Sequence, residues 1–419
     1  MNHDDGTWNM VSSHDGTTLK IDAHGSIEFT DDDADVKSIS RGGYLTISKS
    51  TGRLFGDTQT FEARETGGTI ERKYYVNGKA LTGDDGRAWL RTFLPELLRE
   101  MAIDADRRVA RTLAKGGPAS VLELVSSVKG EYAKGIYLRE LYSQATLDPS
   151  MLSRSLQQAG GEISSDYDLA QVLKTASEKQ NIDATLSAFV EASRTIQSDY
   201  DLRGVLSRAL ARPSLTPSVA SAIFKAAIPG PGGAGIDSDY DMAELLKEAP
   251  VSMVNQPGAG WAEAVGSISS AYDRHRAIAA VLRPGAPPEV VEAALTSAAG
   301  LSSDYEAANL LIEIVKAGLL TDRTSHAFMS AASRIGSAYD RRRVMEAVAK
   351  TSIGDAALAE AVGTAGRISS DYDRAESLIA LGRAPGVGPS SRQALNDAAS
   401  AIGSDYDRGR VLAALTKPK

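Results

Sequence analysis

Ile163-Ser164-Ser165-Asp166-Tyr167-Asp168, followed by Leu169-Ala170-Gln171-Val172-Leu173, decides how this chain is read, because its first six residues recur along the sequence. The related strings are IQSDYD (196–201), IDSDYD (236–241), ISSAYD (268–273), LSSDYE (301–306), IGSAYD (335–340), ISSDYD (368–373) and IGSDYD (402–407). VKGEYA (128–133) is a degraded first copy. The nine tyrosines at their centres are Tyr132, Tyr167, Tyr200, Tyr240, Tyr272, Tyr305, Tyr339, Tyr372 and Tyr406, separated by 35, 33, 40, 32, 33, 34, 33 and 34 residues. A nearly fixed period in this range marks supersecondary units stacked in tandem rather than a globule with one closed active site.

Each full copy has serine two residues before the tyrosine and Asp or Glu one residue after it. The pairs are Ser165 with Asp168, Ser198 with Asp201, Ser238 with Asp241, Ser270 with Asp273, Ser303 with Glu306, Ser337 with Asp340, Ser370 with Asp373 and Ser404 with Asp407. This is the spacing of a capping box, in which the hydroxyl accepts from the amide at the third helical position and the carboxylate reaches back to the cap amide. Each motif therefore reads as a helix start. Apolar residues at +5, +6 and +9 from the tyrosine, such as Val172, Leu173 and Ala176 or Val411, Leu412 and Leu415, lie on one helical face. Upstream lie alanine-rich helical stretches such as 182–194 and 289–299, and Pro/Gly junctions at 212–217 and 283–288 separate the helices. The Ile or Leu four before each tyrosine (Ile163, Ile196, Ile236, Ile268, Leu301, Ile335, Ile368, Ile402) is expected to be buried at the inter-helix turn.

The pattern changes towards the amino terminus. Stretches 17–22, 26–30, 43–49, 58–64 and 69–76 alternate apolar and polar residues, and Asn77-Gly78 signals a hairpin with a short returning strand at 79–81. GRAWLRTFLPELLREM (86–101) then reads as an amphipathic helix bent by Pro95, with Trp89, Phe93, Leu97 and Leu98 on one face. Helices at 104–115 and 118–128 follow, parted at Gly116-Gly117-Pro118. The resulting fold class is mainly α: an α-solenoid of about nine HEAT/TPR-like helical hairpins with a small antiparallel β-domain. Its divisions are a flexible segment 1–15, a β-domain 16–85, a helical connector 86–128 that covers the apolar end of the first repeat, and repeats over 129–419.

GGYLTI, the YYVNG hairpin, GRAWLRTFLPELLRE, IDADRRVARTLAKGGP and the serial I-x-S-D-Y-[DE] units together resemble a family of bacterial repeat domains. That family is similar to accessory modules of membrane metallopeptidases of the β-lactam-sensor type and of anti-sigma-like proteins. The resemblance spans about residues 16–416 and implies a sensory or scaffold role by association. It supplies no catalytic residue, since neither a His-Glu-x-x-His signature nor a Cys/His zinc head is in the sequence.

Composition narrows the function classes. A net charge of −8 argues against general nucleic-acid affinity, and zero cysteine excludes disulfides and thiolate chemistry. No apolar run approaches the ~18 residues that span a bilayer. MNHDDGTWNM lacks the basic and apolar regions of a signal peptide. The compartment is thus cytoplasmic, or extracytoplasmic (the slightly preferred reading) if a signal or anchor lies upstream of this sequence. Of the five histidines, His3, His14, His24, His275 and His326, none stands at metal-ligand spacing from another, and His275 reads as a solvated helix residue. No G-x-S-x-G elbow or P-loop occurs, so no catalytic residue, cofactor or metal is called for.

The candidate surfaces are rows of equivalent residues. Asp166, Asp199, Asp239, Asp304, Asp371 and Asp405 serve helix dipoles, or else form an acidic ridge for a cationic partner or calcium. The tyrosines are expected to wedge between repeats with hydroxyls on polar groups; a ligand-stacking ladder would require exposed rings. At +2, early copies carry Leu169, Leu202 and Met242, whereas later ones carry Arg274, Arg341, Arg374 and Arg408, with Arg276, Arg343 and Arg410 added at +4. These arginines are either a ladder of Arg–Asp pairs or, with the apolar residues, a bipartite docking surface for a protein partner. IPGPGGAGI (228–236), in the 40-residue interval, reads as a surface or binding loop. The functional expectation is a non-enzymatic protein-binding scaffold or sensory module. The alternative is self-assembly by end-to-end stacking at the carboxyl-terminal repeat, and a third is an active site where sheet and repeats join.

Overall fold

The computed structural model describes residues 6–14, 16–52, 56–231, 234–256, 258 and 260–416. Parts of the 1–15 and 228–236 readings, His3, the His14 side chain and Lys417-Pro418-Lys419 lie outside the described residues. The chain is mainly helical with a small amino-terminal antiparallel sheet. Contacts divide it into two compact units, Met1–Thr195 and Ile196–Lys419.

In the first unit, eight strands are described: β1 Thr7–His14, β2 Thr17–His24, β3 Ile27–Phe29, β4 Val36–Ile39, β5 Tyr44–Thr51, β6 Thr58–Thr66, β7 Thr69–Val76 and β8 Lys79–Leu81. Six form an antiparallel sheet in the order β1-β2-β5-β6-β7-β8, and β3 pairs with β4 alone. The Asn77-Gly78 hairpin closes with φ of 51° and 74°, the left-handed pair that a two-residue type I′ turn requires. Two expectations are corrected. Residues 7–14 are not a flexible segment but edge strand β1, paired with β2 along its length. The 26–30 stretch leaves the main sheet and pairs through a bulge at Glu28/Phe29 with β4, whose buried Val36 and Ile39 sit three apart and so do not alternate.

Helix α1 (Gly83–Glu100) buries Leu90, Phe93, Leu94, Leu97 and Leu98 in one core with Ile21, Leu45, Ile47 and Phe61 of the sheet. Its apolar face therefore covers the sheet. The stretch α2 (Ala105–Ser127) is broken at Gly117, whose φ of 68° provides the turn before Pro118. A buried polar knot ties these elements together: Asp33, in the β3–β4 turn, pairs with Arg108 at 2.8 Å and Arg111 at 2.9 Å. Arg108 also donates to the Tyr137 hydroxyl at 2.8 Å, and that hydroxyl donates to the Arg99 carbonyl at 2.9 Å.

Eight of the nine tyrosines open a helix of the expected kind directly after the motif serine, and Tyr132 opens Glu131–Gln144. The second helix of this set in the first unit is Asp166–Lys179; the second unit holds Asp199–Leu210, Asp239–Lys247, Ala271–Ala279, Asp304–Lys316, Ala338–Val348, Asp371–Gly382 and Asp405–Thr416. Intervening helices, such as Pro217–Ala227, Pro288–Ala298 and Asp355–Ala365, alternate with them. Within each unit, every tyrosine helix packs on the next tyrosine helix, and the main intervening helices pack in the same serial way. Seven of the eight residues four before the tyrosine are buried; Leu301 is only half-buried. The last helix also departs from the pattern, burying Val411 while Leu412 stays exposed. Between Ala227 and Asp239 the chain closes on itself, Ile236 donating its amide to Ala227 at 2.8 Å. Gly235 (φ 96°) belongs there, because a Cβ would meet the Ile228 carbonyl oxygen at 2.5 Å.

Candidate functional site

The motif serines cap their helices as the spacing predicts. All eight, Ser165, Ser198, Ser238, Ser270, Ser303, Ser337, Ser370 and Ser404, accept from the amide three residues on, at 3.2–3.3 Å. The other half of the expected capping box is corrected. Among the described residues, the carboxylates of Asp168, Asp201, Asp241, Asp273, Glu306, Asp340, Asp373 and Asp407 do not return to their own cap amides. Asp241 shows this plainly: its amide donates to the Ser238 hydroxyl at 3.2 Å, while its carboxylate pairs with Arg203 at 2.9 Å. Aspartate is one methylene shorter than the Glu or Gln that closes a box, in several repeats the cap amide is already occupied, and Glu306 turns to His275 instead.

The occupant is the acidic residue of the preceding motif: Ser238 donates its amide to Asp199, Ser270 to Asp239, Ser337 to Asp304 and Ser404 to Asp371, each at 2.8 Å. Glu131 takes the Ser164 and Ser165 amides and the Ser164 hydroxyl in the same manner. Burial works to raise the Glu131 carboxyl, but those hydrogen bonds outweigh it and hold the group below the ordinary carboxylate value. Glu131, Asp199, Asp239, Asp304 and Asp371 thus each staple one motif to the next, a role that a reading of each helix by itself misses and that Ala271 and Ala338 cannot fill.

Freed from the box, most of the carboxylates one residue past the tyrosine bind cations. Asp273, Asp340 and Asp407 accept from Arg276, Arg343 and Arg410 of their own helices at 3.0, 3.0 and 3.2 Å. Each of these arginines also reaches the preceding tyrosine helix, to Glu244, Asn309 and Glu376 respectively. Asp241 and Asp373 are instead paired with Arg203 and Arg342 of the preceding helices, at 2.9 and 3.2 Å. At the Tyr272–Tyr305 step the place is taken by His275, which is buried rather than solvated and lies 2.6 Å from Glu306 and 3.3 Å from Glu313.

The arginines at +2 are structural clasps. Arg274, Arg341 and Arg374 donate to the carbonyls of Gly300, Arg367 and Ala401, each five residues before the next tyrosine. Arg341, Arg374 and Arg408 also hold the carbonyl four before their own tyrosine. Burial lowers the pKa of Arg274 and Arg341. Leu169, Leu202 and Met242, at the equivalent place, are each 1% exposed. The apolar half of the expected bipartite docking surface is therefore core, and the arginines at +2 direct guanidinium donors to backbone carbonyls within the fold.

The tyrosines reverse expectation most clearly. All nine rings are exposed, from 49% at Tyr132 to 76% at Tyr406. Their hydroxyls have no hydrogen-bond partner among the described residues, whereas buried Tyr137 and Tyr142 both do. Seven of them, from Tyr200 to Tyr406, have cations against their faces. Arg343 lies over Tyr305 and Tyr339, Arg342 over Tyr339 and Tyr372, and Arg410 over Tyr372 and Tyr406, at 5.1–6.0 Å from the ring centroids. Tyr305 to Tyr406 is thus an unbroken alternation of ring and guanidinium, and Arg276 repeats it between Tyr240 and Tyr272. Each such contact contributes about 0.5–1 kcal/mol at an exposed site and fixes the ring's orientation. Five of the nine arginine–ring contacts from Tyr200 to Tyr406 are local, from an Arg at +3 or +4 of the same helix, and four come from a neighbouring tyrosine helix; the recurring Arg at +3 or +4 was the available signal.

Among the described residues, no group of three acidic or histidine side chains is placed to hold a metal ion, and no helix is long and apolar enough to cross a membrane. No family model matches the chain, and no curated protein is significantly similar to it.

Proposed function

We propose that this protein is a non-enzymatic scaffold whose serial helix pairs build an α-solenoid of the HEAT/TPR kind, and that it binds a protein partner along the edge carrying the tyrosines. The observation that carries this reading is the exposure of the motif tyrosines, seven of them within the second unit, whose rings stand at least half open to solvent although arginines lie against their faces. Serial contacts between tyrosine helices, and the staples from one motif to the next, support a repeat array. Stacked arginines hold the rings in place, which lowers the ordering cost of binding. A sensory or accessory role, as the resemblance implies, is compatible with such an edge.

Photo-crosslinking in the cells that make the protein tests it. A benzophenone amino acid replacing Tyr240, Tyr305 or Tyr372 should crosslink to one common partner, and the same group at His326 or Gln393, exposed on intervening helices, should not. Equal labelling from both sets of positions would remove the tyrosine edge as the binding surface.

A second reading rests on the last helix, Asp405–Thr416, which buries Val411 and leaves Leu412 42% exposed. A second copy stacking there would make dimers. Light scattering should then show concentration-dependent growth that Leu412→Glu abolishes; concentration-independent mass would dismiss it.

A further inference from the structure

The first unit carries an unguarded sheet edge, and we infer that this edge pairs with the same edge of a second copy of the chain. The two β1 strands run antiparallel about a two-fold axis at Val11 and join two six-stranded sheets into one. This surface is separate from both the tyrosine edge and the last helix.

Hydrogen-bond parity defines what the edge offers. Gly25 donates its amide to the Gly6 carbonyl at 2.5 Å, one step beyond the Thr7–His24 pair, so Gly6 is a hydrogen-bonded position of the β1–β2 ladder. Such positions alternate in an antiparallel pair, and the even residues of β1 therefore face β2. The backbone groups of Asn9, Val11 and Ser13 point the other way, off the edge of the sheet. β1 is terminal in the strand order, and β2 is its only strand partner among the described residues.

The two edges of this sheet are built differently. At the far edge, β8 is three residues long and carries Lys79, two devices that discourage strand addition. β1 is eight residues long and pairs with β2 in unbroken register, with no Pro, Lys, Arg, Asp or Glu in it. It thus lacks the charges, prolines and bulges that keep strand edges apart.

Self-complementarity selects a second copy as the occupant. With the α1-covered faces of both copies on one side, residues directly opposite share a face, so odd positions of β1 meet odd positions. Centred on Val11, the pairing sets valine against valine and Asn9 against Ser13 on the open side, and Met10 against Ser12 on the covered side. Val11 is 67% exposed, the most exposed large aliphatic side chain among the described residues, and the axis covers it with its own copy. Centring on Met10 instead would set Val11 against Asn9. Because Thr7 to Ser13 carry no charge, a copy meets no like charge, and a charged peptide finds nothing to pair with.

The chain has no cysteine, so single cysteines report the pairing cleanly. In the full chain under mild oxidation, Val11→Cys should form a disulfide-linked dimer, because hydrogen-bonded pairs hold Cα atoms about 5.5 Å apart, within disulfide reach. Asn9→Cys mixed with Ser13→Cys should crosslink faster than either variant alone, which fixes the register. Sedimentation equilibrium of the unsubstituted chain should show mass rising with concentration. Val11→Lys sets like charges together on the axis and should weaken association about ten-fold or more, with circular dichroism unchanged. A mass of one copy at every concentration overturns the inference. So does association that ignores Val11→Lys but is lost in Leu412→Glu, which assigns self-assembly to the last helix. Crosslinking of Asn9→Cys to itself as fast as to Ser13→Cys overturns the two-fold at Val11.

Discussion

Leu202 and Met242 stand two residues past their tyrosines, where Arg274, Arg341 and Arg374 stand in later helices, and the two sets do the same job by different physics. The apolar pair is buried to within 1% of its surface and stabilises by removing hydrocarbon from water. The arginines trade that burial for hydrogen bonds to carbonyls on both sides of the junction between motifs. A change from leucine to arginine along a repeat row therefore need not signal a change of surface. One backbone geometry accepts both side chains, because an arginine stem packs like an aliphatic chain while its head finds acceptors.

That comparison can be broken at its polar extreme. Arg108, buried with Asp33, is the clasp taken fully out of water. Arg108→Ala leaves Asp33 with only the half-buried Arg111 and should lower unfolding free energy by about 3–5 kcal/mol in urea titration. A loss below about 1 kcal/mol would show the pair to be solvated. Next in size, Met242→Ala should cost about 2–5 kcal/mol through the lost side chain and the cavity it leaves.

A sharper test exchanges one solution for the other. Arg341→Ala strands the carbonyl partners and should cost about 1–3 kcal/mol, whereas Arg341→Met supplies the early-repeat side chain and should cost clearly less. Equal losses would mean that the position is not interchangeable. The smallest effect expected is in acid. Hydrogen bonds from the Ser391 hydroxyl and amide, joined by the Ser390 amide, hold the Asp355 carboxyl well below the usual carboxylate range. A group depressed in the folded state stabilises it above the unfolded value and loses that contribution as pH falls towards the folded one. Glu131 acts with the same sign. Stability should be flat from about pH 5 to 8 and decline below about pH 4, with a shallower decline in Asp355→Asn; an unchanged slope would exclude Asp355 as a contributor.

These results also mark what could be read in advance. Helix starts were legible because a cap is a local device: serine, three residues and an amide lie within one turn. The main strands were legible from alternation, and β4 escaped because a bulge breaks it. The closing carboxylate of the box was overread at Asp241 and Asp273, where spacing matched but the side chain is short and the cap amide is taken by the aspartate of the preceding motif. The tyrosines, the acidic residue before them and His275 were misjudged for a shared reason. The acidic residue and His275 meet partners on neighbouring tyrosine helices, and those helices also set each ring's surroundings, so a string such as SDYD does not reveal whether its ring is buried or exposed. Tyr137, outside the motif and looking no different in sequence, is the one buried, with its hydroxyl satisfied by Arg99 and Arg108.

The account stands on the rings of the motif tyrosines being open to solvent, and chemical labelling reads this directly. Brief acetylation with N-acetylimidazole, mapped by mass spectrometry, should modify Tyr132, Tyr167, Tyr200, Tyr240, Tyr272, Tyr305, Tyr339, Tyr372 and Tyr406 while sparing Tyr137 and Tyr142, which are at most 1% exposed. Protection of the motif tyrosines to the level of Tyr137 would contradict it.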